Sequence, residues 1–444
     1  MTAATPSTRD EGLVRAIGTR ALAAGIFNLI VGAGIFVLPA VVATQLGSAA
    51  ILAYLVCGVV IGLVMLCFAA SGSRVSRTGG LYAYVATALG PFVGFLTGIL
   101  LWFAAGALAS AAVANAFVGT LAELVPVLGR GAPRIALLLL VYGGLAAGNI
   151  RGVRVGSRLV EGMTVAKLAP LLLLVVAGVF VVQPSNLHLG ALPTLSQIGN
   201  AALVLFFAYA GSEVALTPSG EVTEPTRTVP RALVIALLAV TALYVSVHLV
   251  AQGVLGSALS ENQQAPLAAA AGKALGQTGR LIVLAGAAIS TFGYLSGDML
   301  ASPRMLFAFG RDGRLPAWFA WVHPRFRTPV LAIVMHGGVT YALAVSGTFT
   351  KLVILANVGM LAAYLACIAA TIVLQYRDVR AEGGGPPFRL PGGPLVPGCA
   401  TLIVLWLLSH ATSAEYRATG VTLLVAAAVY GASLWMPRGW RVNA

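Results

Sequence analysis

Twelve apolar runs follow one another along this chain, and little else does. They cover residues 21–45, 49–70, 92–118, 135–148, 160–182, 198–216, 232–255, 281–309, 330–345, 352–374, 396–409 and 419–436. Roughly 20 apolar residues make a helix that crosses the hydrocarbon of a bilayer. Hydrocarbon offers no partner to a bare N–H or C=O, so each run must close its hydrogen bonds within itself as a helix. The runs at 135–148 and 396–409 are short and need their flanks to span. Only 9% of residues are charged and 59% are hydrophobic, against about a quarter charged in a soluble domain. With a mean hydropathy of +0.94, a soluble protein is excluded. The polar stretch 1–20 leads directly into a full-length run with no small-residue cleavage site, so the first span is expected to stay in the mature protein.

The net charge of +14 invites a nucleic-acid partner, but its placement argues against one. Lysines and arginines fall in the short connections, where they act as topology signals. With the N-terminus inside, 20 of them lie on the inner side and 6 on the outer, leaving Lys167 on neither. That bias predicts cytoplasmic N- and C-termini in a cell-membrane protein. The connection 311–329 mixes arginines with Trp318, Phe319 and Trp321, a composition suited to the headgroup layer. Cys57, Cys67, Cys367 and Cys399 have no metal-ligand spacing, and the five histidines are scattered. No metal and no cofactor are expected, and nothing in the pattern fixes an oligomeric state.

Two runs are weakened in their own middles. The first carries Gly32-Ala33-Gly34 and then Pro39; the sixth carries Ala210-Gly211-Ser212-Glu213, followed by Pro218 and Gly220. Glycine and proline are the poorest helix formers, by about 1 and about 3 kcal/mol against alanine. The second lies five spans on from the first, as in transporters whose inverted repeats each contribute one discontinuous helix to a midplane site. Interruption frees N–H groups that attract a carboxylate, helped by the positive end of a half-helix, and carbonyls that accept from an ammonium. Together they suit an amino acid zwitterion. A close-packing glycine pair is the structural alternative.

Intramembrane charges are functional candidates. Lys167 lies seven residues into the fifth run, roughly 10 Å below its edge at 1.5 Å per residue. It either snorkels or faces the bundle interior as a desolvated amine able to exchange a proton near neutral pH. In the second case an ammonium stands where a sodium ion would, which argues against sodium coupling. Glu213 is a candidate proton or gating site, or a structural hydrogen-bonding group. Asp298 in the eighth run has Arg304 as a local candidate partner, which spacing alone does not establish, and its role stays open.

The stretches GAGIFVLPA (Gly32–Ala40), TGGLYAYV (Thr78–Val85), VAKLAPL (Val165–Leu171), FFAYAGSE (Phe206–Glu213), GEVTEPTRTVPRA (Gly220–Ala232) and SPRMLFAFGRDGRLP (Ser302–Pro316) carry a resemblance over nearly the whole chain. It resembles the amino acid–polyamine–organocation (APC) transporters. The resemblance implies an all-α membrane protein of twelve transmembrane helices, with a LeuT-type five-plus-five inverted repeat plus two C-terminal helices. The implied divisions are a cytoplasmic tail at 1–20, repeats at 21–182 and 196–376, a helix pair at 394–436 and a tail at 437–444.

Carried over residue by residue, the backbone N–H groups of Gly32, Ala33 and Gly34 hold the substrate carboxylate. Carbonyls of Ile30, Phe207, Ala208 and Ala210 hold its amino group, with Tyr209 and Gly211 completing the site. Phe207 is the outer gate, and Lys167 replaces the second sodium site. The chain departs from the family pattern at Ala33, often a serine, and at Ala70 and Ser76, usually an acidic residue and a proline. The expected function is secondary transport of neutral L-amino acids by alternating access with proton symport. Sodium-independent exchange of amino acids, or of a basic amino acid and its amine, is the rival. A transport-inactive sensor needs an appended soluble domain, and an enzyme needs a nucleophile–base or metal set; the sequence offers neither.

Overall fold

A computed structural model describes residues 17–75, 79–151, 157–216, 222–326, 328–381 and 385–435. Among them the chain is helical throughout, with no strand; one isolated parallel bridge joins Ile17 to Val222. In chain order the principal helices are α1 (Thr19–Ile30), α2 (Gly34–Leu46), α3 (Ile51–Gly72), α4 (Gly80–Leu89), α5 (Pro91–Ala122), α6 (Gly131–Ile150), α7 (Ser157–Gly178) and α8 (Leu195–Tyr209). They continue with α9 (Pro225–Leu255), α10 (Pro266–Arg311), α11 (Val330–Ser346), α12 (Phe349–Tyr376), α13 (Leu395–Leu408) and α14 (Ser413–Trp435). Eight helical stretches among the described residues are long and apolar enough to cross a membrane, and α1, α4, α11 and α13 are shorter apolar helices. The protein is an integral, multi-pass membrane protein.

Local chemistry sets the helix ends. Thr194 accepts from the Gln197 N–H while the Gln197 side chain accepts from the Thr194 N–H at 2.8 Å, a capping box that starts α8. Gly79 and Gly80, both at positive φ, turn the chain into α4. The helix α10 is longer than the apolar run within it, because Gly276 (φ 69°, ψ −164°) joins an N-terminal segment to the main one. Within α5, residues Leu101–Leu108 form a π-helix, the wider winding that recurs at functional sites.

The interior is built from small residues and a few polar ties, as expected where lipid is as apolar as the core. Gly286 of α10 lies against Pro170 of α7 so closely that a Cβ would meet its ring at 2.4 Å. Asn357 of α12 donates to Leu203 O of α8 at 2.6 Å, and Ser71 of α3 bonds Thr371 of α12 at 2.8 Å. By contrast α6 and α14 present Leu139, Leu140, Leu424 and Val425 outward. In the connection after α10, Trp318 and Trp321 are more than half or half exposed (58% and 50%), and the Arg314 guanidinium lies 4.7 Å over the Tyr430 ring. Arg327 and residues 217–221 lie outside the described residues.

Candidate functional site: two interrupted helices that cross

The first interruption occupies Val31–Ala33. The Val31 N–H donates to Phe27 O, and the Gly32 N–H turns back onto Ile30 O at 2.8 Å. A new helix, α2, then opens at Gly34, and its first N–H groups have no carbonyl a turn earlier to bond. The second interruption occupies Ala210 and Gly211. Ala210 is extended (φ −74°, ψ 155°) and Gly211 adopts φ 131°, before the short helical turn Ser212–Ala215. The two breaks pass against each other. A Cβ on Gly34 would lie 2.7 Å from Ala208 Cα, and one on Gly211 would lie 2.8 Å from Leu29 O. Only glycine permits either approach, and at Gly211 the backbone conformation also excludes other residues.

Interruption frees carbonyls, and polar side chains from other helices take them up. Lys167 of α7 is buried, and its Nζ donates to Asn28 O at 2.5 Å and Val31 O at 2.8 Å. It therefore faces inward rather than snorkelling. Tyr244 of α9 places its hydroxyl 3.0 Å from Ile30 O and 2.9 Å from Ala208 O, sharing one proton between the two broken helices. Ile30 O thus accepts from both Gly32 and Tyr244, and Phe207 O accepts from the Ala210 N–H at 3.3 Å. Three of the four carbonyls proposed for an amino group are engaged internally in this conformation.

Glu213 is buried. Its carboxylate accepts from the Gly211 N–H at 3.0 and 3.1 Å and from the Tyr364 hydroxyl of α12 at 2.7 Å. The Phe207 ring packs edge-on to Phe349 of α12 at 6.1 Å. Tyr209 points elsewhere: its hydroxyl donates to Tyr54 O of α3 at 3.1 Å. From α10, Tyr294 reaches within 3.6 Å of where a Gly32 Cβ would be, and its hydroxyl donates to Ala105 O in the π-helical stretch at 3.2 Å.

The candidate Asp298–Arg304 pair does not form. Asp298 bonds instead to His336 Nε2 of α11 at 2.9 Å and to Ser302 Oγ at 2.5 Å. Ser302 is four residues on and shares the Asp298 face of α10, whereas a residue six on lies round the helix from it. Tyr244, Tyr294, Tyr364 and His336 were not singled out from the sequence. The one available signal was the rarity of polar atoms inside apolar runs. Among the described residues no group of three or more His, Cys, Asp or Glu is arranged to hold a metal.

An apolar bundle in which two interrupted helices cross, each tied to a third by a buried polar side chain, has the build of a membrane transporter. The comparisons make the class specific. The family model described as "Amino acid permease" matches residues 17–433. The chain belongs to the amino acid permease family, within the APC superfamily, whose members are transporters and not enzymes. It is 29% identical over 438 residues to the methylthioribose transporter of Bacillus subtilis, covering 94% of this chain and 91% of the relative. It is 27% identical to the serine/threonine exchanger SteT of the same organism, with 94% and 96% covered. An uncharacterized transporter of Mycobacterium tuberculosis is 33% identical, with 88% and 86% covered.

Proposed function

We propose that this protein is a secondary active transporter of neutral L-amino acids in the cytoplasmic membrane, working by alternating access with proton coupling. Twelve spans, a five-plus-five inverted repeat (21–182 and 196–376) and cytoplasmic tails form the architecture of this reading. The substrate carboxylate lies at the N–H groups of Gly32, Ala33 and Gly34, where α2 opens with its positive end; of these the Gly32 N–H is turned onto Ile30 O in this conformation. Its amino group competes for carbonyls of Ile30, Phe207, Ala208 and Ala210, and so displaces the Tyr244 hydroxyl from the two it bridges. Among the described residues, Glu213, the carboxylate beside the second break, is bonded to Gly211 and Tyr364; this supports a neutral substrate.

The observation that carries the reading is the Lys167 amine on Asn28 O and Val31 O. A protonated amine has three donors and holds the end of α1 in place; on losing its proton it keeps two and no charge, and its hold weakens. The ammonium also fills the carbonyl-lined position a sodium ion needs. Uptake of labelled neutral L-amino acids into empty proteoliposomes under an inward pH gradient tests the proposal. Lys167→Ala is expected to abolish pH-driven uptake while substrate binding persists. An unchanged pH dependence in that variant removes the lysine from the mechanism. The exchange reading is favoured by the likeness to the serine/threonine exchanger, and uptake seen only with internal amino acid establishes it in place of symport.

A further inference from the structure

Asp298 and His336 have no part in holding a zwitterion, yet they form the one buried acid–imidazole pair among the described residues. Each comes from a different helix, α10 and α11, and both side chains are almost completely shielded (6% and 0% exposed). Both carboxylate oxygens are acceptors: Oδ1 takes the Ser302 hydroxyl proton at 2.5 Å, and Oδ2 faces His336 Nε2 at 2.9 Å. With the carboxylate ionised, the imidazole proton sits on Nε2, which leaves Nδ1 as the open nitrogen. Nδ1 is buried and has no hydrogen-bond partner, and neither has the nearby Trp102 Nε1 of α5; the two rings lie edge to face at 6.3 Å. A buried polar atom without a partner calls for an explanation.

We propose that the Asp298–His336 pair is a proton-binding site, loaded at His336 Nδ1. The proton is taken from water and returned to water, with no bond made or broken except N–H. Loaded, the site is an imidazolium against a carboxylate and carries no net charge. Unloaded, it holds an uncompensated carboxylate within an apolar bundle, which is the less favourable state in hydrocarbon. Among the described residues no lysine or arginine forms an ion pair with Asp298, so a proton taken up by the pair itself is what neutralises it. The other titratable groups around the pair are Tyr294 of α10 and Tyr142 of α6. Their hydroxyls are committed to Ala105 O and Ser110 O.

The surroundings connect this site to the crossing of the interrupted helices. A Cβ at Gly106, in the π-helical stretch of α5, would meet Ser302 Oγ at 2.8 Å and Asp298 Oδ1 at 3.7 Å, so α5 lies directly on the pair. Tyr294 sits one turn before Asp298 on the same face of α10, bonds the same π-helical stretch, and rests against Gly32. Protonation of the pair and the shape of the Gly32 break thus share one side chain and one stretch of irregular backbone.

The test needs no transported substrate, so it stands apart from the proposed function. Magnetic resonance of the full chain in lipid nanodiscs, with ring-labelled histidine, has five histidines to resolve. The His336 signal is identified by its loss in His336→Gln. It is expected to pass from one ring proton to two as the pH is lowered. Asp298→Asn keeps the shape of the pair and is expected to move the midpoint at least tenfold in proton concentration, and Ser302→Ala to move it less. A His336 ring that keeps one charge state throughout overturns the proposal, as does a midpoint indifferent to Asp298→Asn. If Asp298→Asn does not fold, the native and Ser302→Ala titrations still decide it.

Discussion

Alanine at Gly32, Gly34 and Gly211 distinguishes a glycine kept for space from one kept for its N–H. Each substitution preserves the N–H, so what changes is the room a methyl group needs. At Gly32 the added carbon meets Tyr294 Cδ2 at 3.6 Å, an ordinary contact, and φ is not positive. Gly32→Ala is therefore expected to be neutral, or stabilising by up to about 1 kcal/mol through lost freedom of the unfolded chain. At Gly34 the carbon would stand 2.7 Å from Ala208 Cα. Carbon atoms pack at about 3.5–4.0 Å, so α2 and α8 must part by about 1 Å, and neither backbone yields as a side-chain tip does. Overpacking of this kind costs about 1–3 kcal/mol. Gly211→Ala meets Leu29 O at 2.8 Å and holds φ at 131°, which alone costs about 1–3 kcal/mol. Thermal unfolding of the purified variants in detergent, beside uptake in liposomes, reads the series. The melting temperature is expected to fall from Gly32→Ala, near native, through Gly34→Ala to Gly211→Ala, with uptake lost in the last two. A Gly34→Ala protein that melts like the native one refutes the crossing of the two breaks.

Tyr244→Phe removes the hydroxyl that links Ile30 O to Ala208 O. Ile30 O keeps the Gly32 N–H, but Ala208 O loses its side-chain partner, at about 1–3 kcal/mol for a bare buried group; a native melting temperature would show that the bridge ties nothing. Glu213→Gln keeps the volume but has only one acceptor oxygen for Gly211 and Tyr364, so lower thermal stability is expected, and native stability in this variant argues against the cap. Outside the spans, the Arg380 hydrogen bond holds the Asp378 carboxyl below the usual carboxylate range, with a second bond from Arg74. Its contribution is therefore complete above the unfolded value of about 3.9 and lost only as pH falls through the lower folded value. Asp378→Ala should lower the melting temperature equally at every pH from about 5 to about 8, and a pH-dependent difference there contradicts the assignment.

The interruptions at Val31–Ala33 and Ala210–Gly211 were legible because glycines inside an apolar run are local and need no knowledge of packing. The inward direction of Lys167 and the partner of Asp298 were not legible in the same way. In a soluble helix the apolar stripe tells which face is buried; in lipid both faces are apolar, and α3 or α12 shows almost no preferred side. Sequence proximity then becomes the default, and it pointed from Asp298 to Arg304, when the partner stands 38 residues away on another helix. The tyrosines are hard to read for a related reason, since a ring with one hydroxyl suits a core or an interface equally. What they do follows from hydrocarbon chemistry: wherever the backbone leaves regular α geometry it exposes a carbonyl, and something must bond to it. Lys167 serves Asn28 and Val31, Tyr244 serves Ile30 and Ala208, and Tyr294 serves Ala105 of the π-helical stretch. Each of these bonds joins an irregular stretch to a different helix, so a substrate that competes for one of the same carbonyls acts on the packing of α7, α9 or α10 as well. That is how a ligand of a few atoms can bias the arrangement of a whole bundle.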